Sequence, residues 1–132
     1  MKNFLLISSI AVASCCGSKN ATVPATTSTD VQTEVTIEND PGIPLCIKKL
    51  VVTYKAEKKQ NPPRSIYSYL YNGKTVYYVP AICCDFFSDL YDANCNIIGH
   101  PDGGYTGKGD GTAADFSKTR TAEKLIWQDD RK

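Results

Sequence analysis

Apolar and polar positions alternate along the chain with two different periods, and each period predicts a different element. After Pro44 the apolar residues Cys46, Ile47, Leu50, Val51 and Tyr54 recur at i, i+1, i+4, i+5 and i+8, while Lys48, Lys49, Lys55, Lys58 and Lys59 lie mostly on other faces. This spacing predicts one amphipathic helix over 45–58. Its lysine-rich end suits the negative pole of the helix dipole, and Asn61-Pro62-Pro63 blocks continuation. Beyond residue 65 the pattern changes. Ser65 to Tyr71 and Lys74 to Pro80 are rich in aromatic and β-branched residues and are separated only by Asn72-Gly73, which predicts a tight hairpin. Such a turn sets Tyr71 opposite Lys74, Tyr69 opposite Val76 and Tyr67 opposite Tyr78 on one face. Ile66, Leu70, Tyr77 and Val79 fall on the other. Both faces are partly apolar, so both call for cover: the helix on one side, a loop or a partner on the other.

Phe86 to Tyr91 and Asn96 to Gly99 read as two further short strands around the turn Asp92-Ala93-Asn94-Cys95, completing a four-stranded meander. Glycines at 103, 104, 107, 109 and 111 exclude a regular element between His100 and Gly111 and predict a long loop. Ala113 to Thr119 predicts a helical turn, and Lys124 to Gln128 a last strand packed through Leu125, Ile126 and Trp127. The expected fold class is α+β: one amphipathic helix on an antiparallel meander of about four strands, with a Gly-rich loop and a short C-terminal helix and strand.

The first 40 residues follow neither period. Lys2 precedes an apolar stretch from Phe4 to Val12, and small or modest residues lead to Cys15, which is secretory-signal architecture. Nine residues rise only about 14 Å as a helix against roughly 30 Å of hydrocarbon, so the stretch targets without spanning. Val12-Ala13-Ser14-Cys15 resembles the bacterial lipobox, which implies removal of 1–14 and lipidation of Cys15. Two or three acyl chains, at about 0.8 kcal/mol per buried methylene, give stable anchoring. No aspartate follows Cys15, which implies the outer membrane, facing the periplasm. Residues 15–40, rich in Thr and Ser with only scattered valines, bury too little to offset their ordering entropy and read as a tether. A short strand at 34–38 ends it, and Asn39-Asp40-Pro41-Gly42 turns into one globular domain over 41–132.

Charge excludes one class of partner. The formal net charge of +1 includes Lys2, and its removal leaves 14 basic against 14 acidic residues. A balanced surface offers no broad attraction to nucleic acid.

Several stretches look familiar together: Cys46-Ile47, Ser65-Ile66-Tyr67, Gly73-Lys74-Thr75-Val76-Tyr77-Tyr78-Val79-Pro80, Cys83-Cys84-Asp85, Ser88-Asp89-Leu90-Tyr91-Asp92, Pro101-Asp102-Gly103-Gly104, Gly107-Lys108-Gly109-Asp110-Gly111 and Leu125-Ile126-Trp127. Over about residues 43–131 they resemble a family of small Bacteroidetes lipoproteins, a domain of unknown function. The resemblance implies location and fold, and no activity. One position departs from it: where the family's turn usually has glycine, this chain has Cys95, and a left-handed backbone there strains a residue with a β-carbon. More distantly, a helix followed by a meander resembles periplasmic inhibitor-like domains, an analogy of fold alone.

Export makes disulfides plausible, and the globular part holds Cys46, Cys83, Cys84 and Cys95, which permit three complete pairings. A bridge between adjacent Cys83 and Cys84 needs a strained ring, which favours Cys46 joining one of them and Cys95 the other. No cysteine or histidine pair has zinc-finger spacing. Asp102, Asp110 and Asp115 are weak calcium candidates around the glycine loop, but their spacing is not that of an EF-hand. The same loop lacks the Lys-Ser/Thr order of a phosphate loop, so no metal and no cofactor is expected.

Five of the eight tyrosines lie in the hairpin, and Tyr67, Tyr69 and Tyr78 form a candidate binding face for an envelope protein or glycan, because tyrosine joins apolar area to a polar tip. His100, the only histidine, and Asp85, Asp89 and Asp92 are the residues a hydrolase would use. The expected role is a non-enzymatic binding or inhibitor-like envelope module, held to the membrane by its N-terminal lipid. A periplasmic hydrolase and a structural accessory lipoprotein are the alternatives.

Overall fold

In the computed structural model, which describes residues 37–132, one helix and one short helical turn pack on opposite faces of a five-stranded antiparallel sheet. The helix, α1, runs Leu45–Ala56. The strands are β1 (Ser65–Tyr71), β2 (Lys74–Val79), β3 (Asp89–Tyr91), β4 (Ile97–Gly99) and β5 (Thr121–Gln128), and the short helix α2 is Phe116–Thr119. Strand order is β4-β3-β2-β1-β5. β1 to β4 therefore form a meander in chain order, and β5 returns to pair with the free edge of β1.

The hairpin has the register expected from Asn72-Gly73: Tyr71 pairs with Lys74, Tyr69 with Val76 and Tyr67 with Tyr78. Asn72 and Gly73 both take positive φ, 49° and 74°, as a type I′ turn requires. β3 and β4 are shorter than expected. Phe87 makes only an isolated bridge to Gly103, because residues 86–88 bond the glycine loop through the Gly104 and Ser88 amides instead of pairing along β2. β5 is longer than expected, and Leu125 is exposed, not packed; register shifts along β1 turn it outward while Ile126 and Trp127 stay buried.

α1 starts on the Pro44 carbonyl, which accepts from the Ile47 and Lys48 amides at 3.1 and 3.2 Å. Its end is satisfied from far along the chain. The Arg131 guanidinium donates to the Lys55 and Tyr54 carbonyls at 2.7 and 3.0 Å, and grips the buried Asp129 carboxylate with two 2.7 Å bonds. One guanidinium thus caps a helix and pairs a buried acid. Hydrogen bonding to Arg131 holds the Asp129 carboxyl below its usual range.

Each sheet face carries its own core. Ile47, Val51 and Tyr54 of α1 pack on Ile66, Tyr77, Val79, Ile126 and Trp127 of the sheet, joined by Ile37. The packed unit therefore reaches back before the boundary expected at 41. Residues 37–39 are helical, not part of a strand. The expected signal, Cys15 and the rest of the tether lie outside the described residues. Among those described, no helix is long and apolar enough to cross a membrane.

Candidate functional site

The tyrosine face is covered by the chain's own loop. Phe116, fully buried, sits between Tyr69, Tyr71 and Tyr78 with ring centroids 5.4 to 5.5 Å apart, and Arg120 lies over Tyr69 at 4.5 Å. Tyr69 is only 5% exposed, while Tyr67 and Tyr78 are half-buried. The candidate binding face of Tyr67, Tyr69 and Tyr78 is thus packed from within as a second core. The helical turn supplied the apolar plug that the sequence pattern had left to a loop or a partner.

The hydroxyls of this core explain the aspartates. Tyr78 donates to Asp102 at 2.7 Å, Tyr71 to Asp115 at 2.7 Å and Tyr69 to Glu123 at 2.7 Å. Burial, reinforced by the bond to Asp102, pushes Tyr78 up to about 12, and burial with Glu123 pushes Tyr69 further up. Asp110 instead receives the Thr112 amide at 2.8 Å. The three calcium candidates therefore serve three separate hydrogen bonds. Among the described residues no group of three or more His, Cys, Asp or Glu side chains is placed to hold a metal.

The glycine loop is a structural latch. The Gly109 amide donates to the Gly103 carbonyl at 3.1 Å and the Asp110 amide to the His100 carbonyl at 3.1 Å. A β-carbon at Gly109, whose φ is 68°, would overlap that His100 carbonyl. The sequence there answers to close backbone approach and not to a phosphate.

His100 does meet a carboxylate. Its Nδ1 lies 2.9 Å from Asp89 and 3.3 Å from the Ser88 carbonyl, with the Phe87 ring tilted against it at 5.3 Å. Asp85 and Asp92 are not part of this contact; Asp92 instead organises the β3–β4 turn through the Asn94 and Asn96 amides, both at 2.8 Å.

The cysteines pair differently from expectation. Cys46 bridges Cys95, and Cys83 and Cys84 are free and exposed. Cys95 lies in the β3–β4 turn at φ 70°, the left-handed conformation that suits glycine, and this aims its sulfur at the start of α1. The Cys46 amide also lies 3.2 Å from that sulfur. Cys83 and Cys84 sit in an exposed turn between β2 and β3, and the alternation of the sequence pattern does not reveal that separation.

One surface feature went unread in the sequence. Leu45 and Val52, 63% and 62% exposed, stand one above the other on the outer side of α1, beside Lys48, Lys49 and Lys55. With Ile37, Glu38, Val51 and Trp127 they line a groove of about 300 Å³. The signal was present: residues 45, 48, 49, 52 and 55 fall on one helical face, where two large aliphatic side chains alternate with three lysines.

The model of a domain of unknown function, DUF6970, matches residues 52–129. No curated protein and no solved structure matches the chain. The match contains all five strands, the free cysteine pair and His100, while Cys46 and most of α1 precede it.

Proposed function

The chain belongs to the DUF6970 family, and from that premise we propose that it is a lipid-anchored envelope module that works by binding, through the groove beside α1. The observation that carries this reading is the groove itself: an apolar floor that includes Trp127, two exposed aliphatic residues and a rim on which three lysines outnumber the single acid, Glu38. Exposed apolar surface ringed by polar groups is the usual mark of a binding site. The lysines favour an occupant that is acidic around an apolar strip, such as an amphipathic protein segment. The Cys46–Cys95 bridge supports an oxidising compartment, in keeping with export and with Cys15 as the acylated residue.

Two measurements test the reading. Cys15→Ala is expected to abolish incorporation of a fatty-acid label and to release the protein from the membrane fraction. Capture from envelope extracts with wild type and with Leu45→Glu/Val52→Glu is expected to lose the bound species in the variant. Equal capture by the two removes the groove from the account.

A second reading, a hydrolase, is favoured by the Asp89–His100 contact of 2.9 Å, which orients the imidazole and leaves Nε2 to act as a base. His100→Asn then abolishes any hydrolytic activity found in the purified protein; activity surviving in that variant removes this reading.

A further inference from the structure

Cys83 and Cys84 are consecutive, exposed and unbridged. In extended backbone, consecutive side chains point to opposite sides. Here the chain turns. The Phe86 amide donates to the Cys83 carbonyl at 3.3 Å, and Cys84 takes a left-handed φ of 56°. The two side chains consequently meet: the Cys84 thiol donates to the Cys83 sulfur, and that bond raises the Cys84 pKa. Elsewhere in the same molecule Cys46 and Cys95 are already joined, which requires an oxidant during maturation. An exposed pair of facing thiols meets that same oxidant.

We propose that Cys83-Cys84 is a thiol–disulfide exchange site, which reacts with a disulfide of another molecule and closes reversibly to a vicinal disulfide. The Cys83 thiol loses its proton to solvent, and the thiolate attacks one sulfur of the incoming disulfide. That S–S bond breaks, and the departing thiolate takes up a proton. The Cys84 thiolate, deprotonated in turn, attacks the Cys83 sulfur and releases the second half of the incoming molecule as a thiol. Two S–H bonds and one S–S bond are lost, and two S–H bonds and one S–S bond are formed. The pair is oxidised by two electrons and the incoming disulfide is reduced by two.

The two cysteine pairs have opposite characters for a physical reason. Cys46–Cys95 closes a separation of 49 residues, so its opening returns much freedom to the unfolded chain. A bridge between neighbours constrains almost nothing and carries ring strain, so thiols reopen it readily.

The test uses the full chain in buffers of oxidised and reduced glutathione, quenched with an alkylating agent. Mass spectrometry then reads the chymotryptic peptide Val79–Phe86, which contains Cys83 and Cys84 and no other cysteine. The expected result is a peptide that loses both alkylation sites as the oxidised form rises and regains both on return to reduced glutathione, with Cys46–Cys95 closed throughout. Cys84→Ser is expected to trap glutathione on Cys83 as a stable mixed disulfide. A second arm replaces oxidised glutathione by an oxidised thioredoxin-like protein; closure only in that arm assigns the source as a protein disulfide. Persistent alkylation of both thiols in every arm overturns the proposal. So does a wild type that stays as a mixed disulfide or dimerises through Cys83 or Cys84, or a vicinal bridge that glutathione cannot reopen.

Discussion

Replacing both Cys46 and Cys95 by alanine should cost this domain a large part of its stability. The bridge separates its ends by 49 residues. A crosslink of that span removes roughly 14 cal/mol/K of chain entropy from the unfolded state, about 4 kcal/mol at room temperature. Single domains are stable by only about 5 to 15 kcal/mol. The left-handed backbone at Cys95 works against the bridge, since φ of 70° costs a residue with a β-carbon roughly 1 to 2 kcal/mol relative to glycine. That strain remains in Cys46→Ala/Cys95→Ala and is relieved in Cys46→Ala/Cys95→Gly. Urea unfolding followed by circular dichroism should place the first variant about 3 to 4 kcal/mol below wild type, with a steeper denaturant slope because the unfolded chain expands. The second should recover about 0.5 to 1 kcal/mol, the relieved strain less the entropy that glycine adds to the unfolded chain. A loss under about 1 kcal/mol, or a glycine variant less stable than the alanine one, would refute the reasoning.

Three further outcomes follow from the cores and the helix cap. Phe116→Ala empties the plug between three tyrosines and should cost about 3 to 5 kcal/mol in the same assay; a loss below about 1 kcal/mol would show that the loop does not hold the second core. Arg131→Met strands the buried Asp129 carboxylate and two helix carbonyls, with an expected loss of about 2 to 3 kcal/mol, kept below the full buried-pair value by the partly exposed guanidinium. Because the folded Asp129 carboxyl is held below its ordinary 3.8, its stabilisation is present above that pH and is lost as pH falls through the lower folded value. The gap between wild type and Arg131→Met should therefore narrow in acid, and a gap that does not change with pH contradicts the pairing. At the alkaline end, burial pushes Tyr78 and Tyr91 up to about 12 from an ordinary 10. Their contribution is complete below pH 10 and falls away toward 12, so tyrosinate absorbance should rise late and together with unfolding. A full rise centred at 10 in the folded protein would contradict the burial.

The parts legible in the sequence were those governed by local chemistry. Asn72-Gly73 fixed the hairpin and its register, and the i, i+4 spacing of Ile47, Val51 and Tyr54 identified the buried face of α1. The need for cover on both sheet faces was also readable from alternation. What supplied that cover was not, because Phe116 lies in a segment too short to show a period and gains its role from contacts more than 35 residues away in β1 and β2. The disulfide was misassigned for a related reason. Its geometry depends on the left-handed turn at Cys95, and that turn brings to α1 a residue that its position in the chain places nearer Cys83 and Cys84. Asp102, Asp110 and Asp115 read as a set because they share one loop region, yet each bonds a different partner. The groove is not legible from periodicity alone, because Leu45 and Val52 share their helical face with lysines and do not extend the apolar stripe of Ile47, Val51 and Tyr54.

The role assigned to that groove is tested most directly by placing a photo-reactive amino acid at position 52 of the anchored protein and irradiating intact cells. Parallel probes replace Leu70 and Ile97, which are 43% and 51% exposed and lie away from the groove. The expected result is one defined adduct from position 52, absent from 70 and 97 and abolished by Lys48→Glu/Lys49→Glu. Equal adducts from all three positions, or an adduct at 52 that survives reversal of the lysines, would contradict a binding site built from that floor and rim.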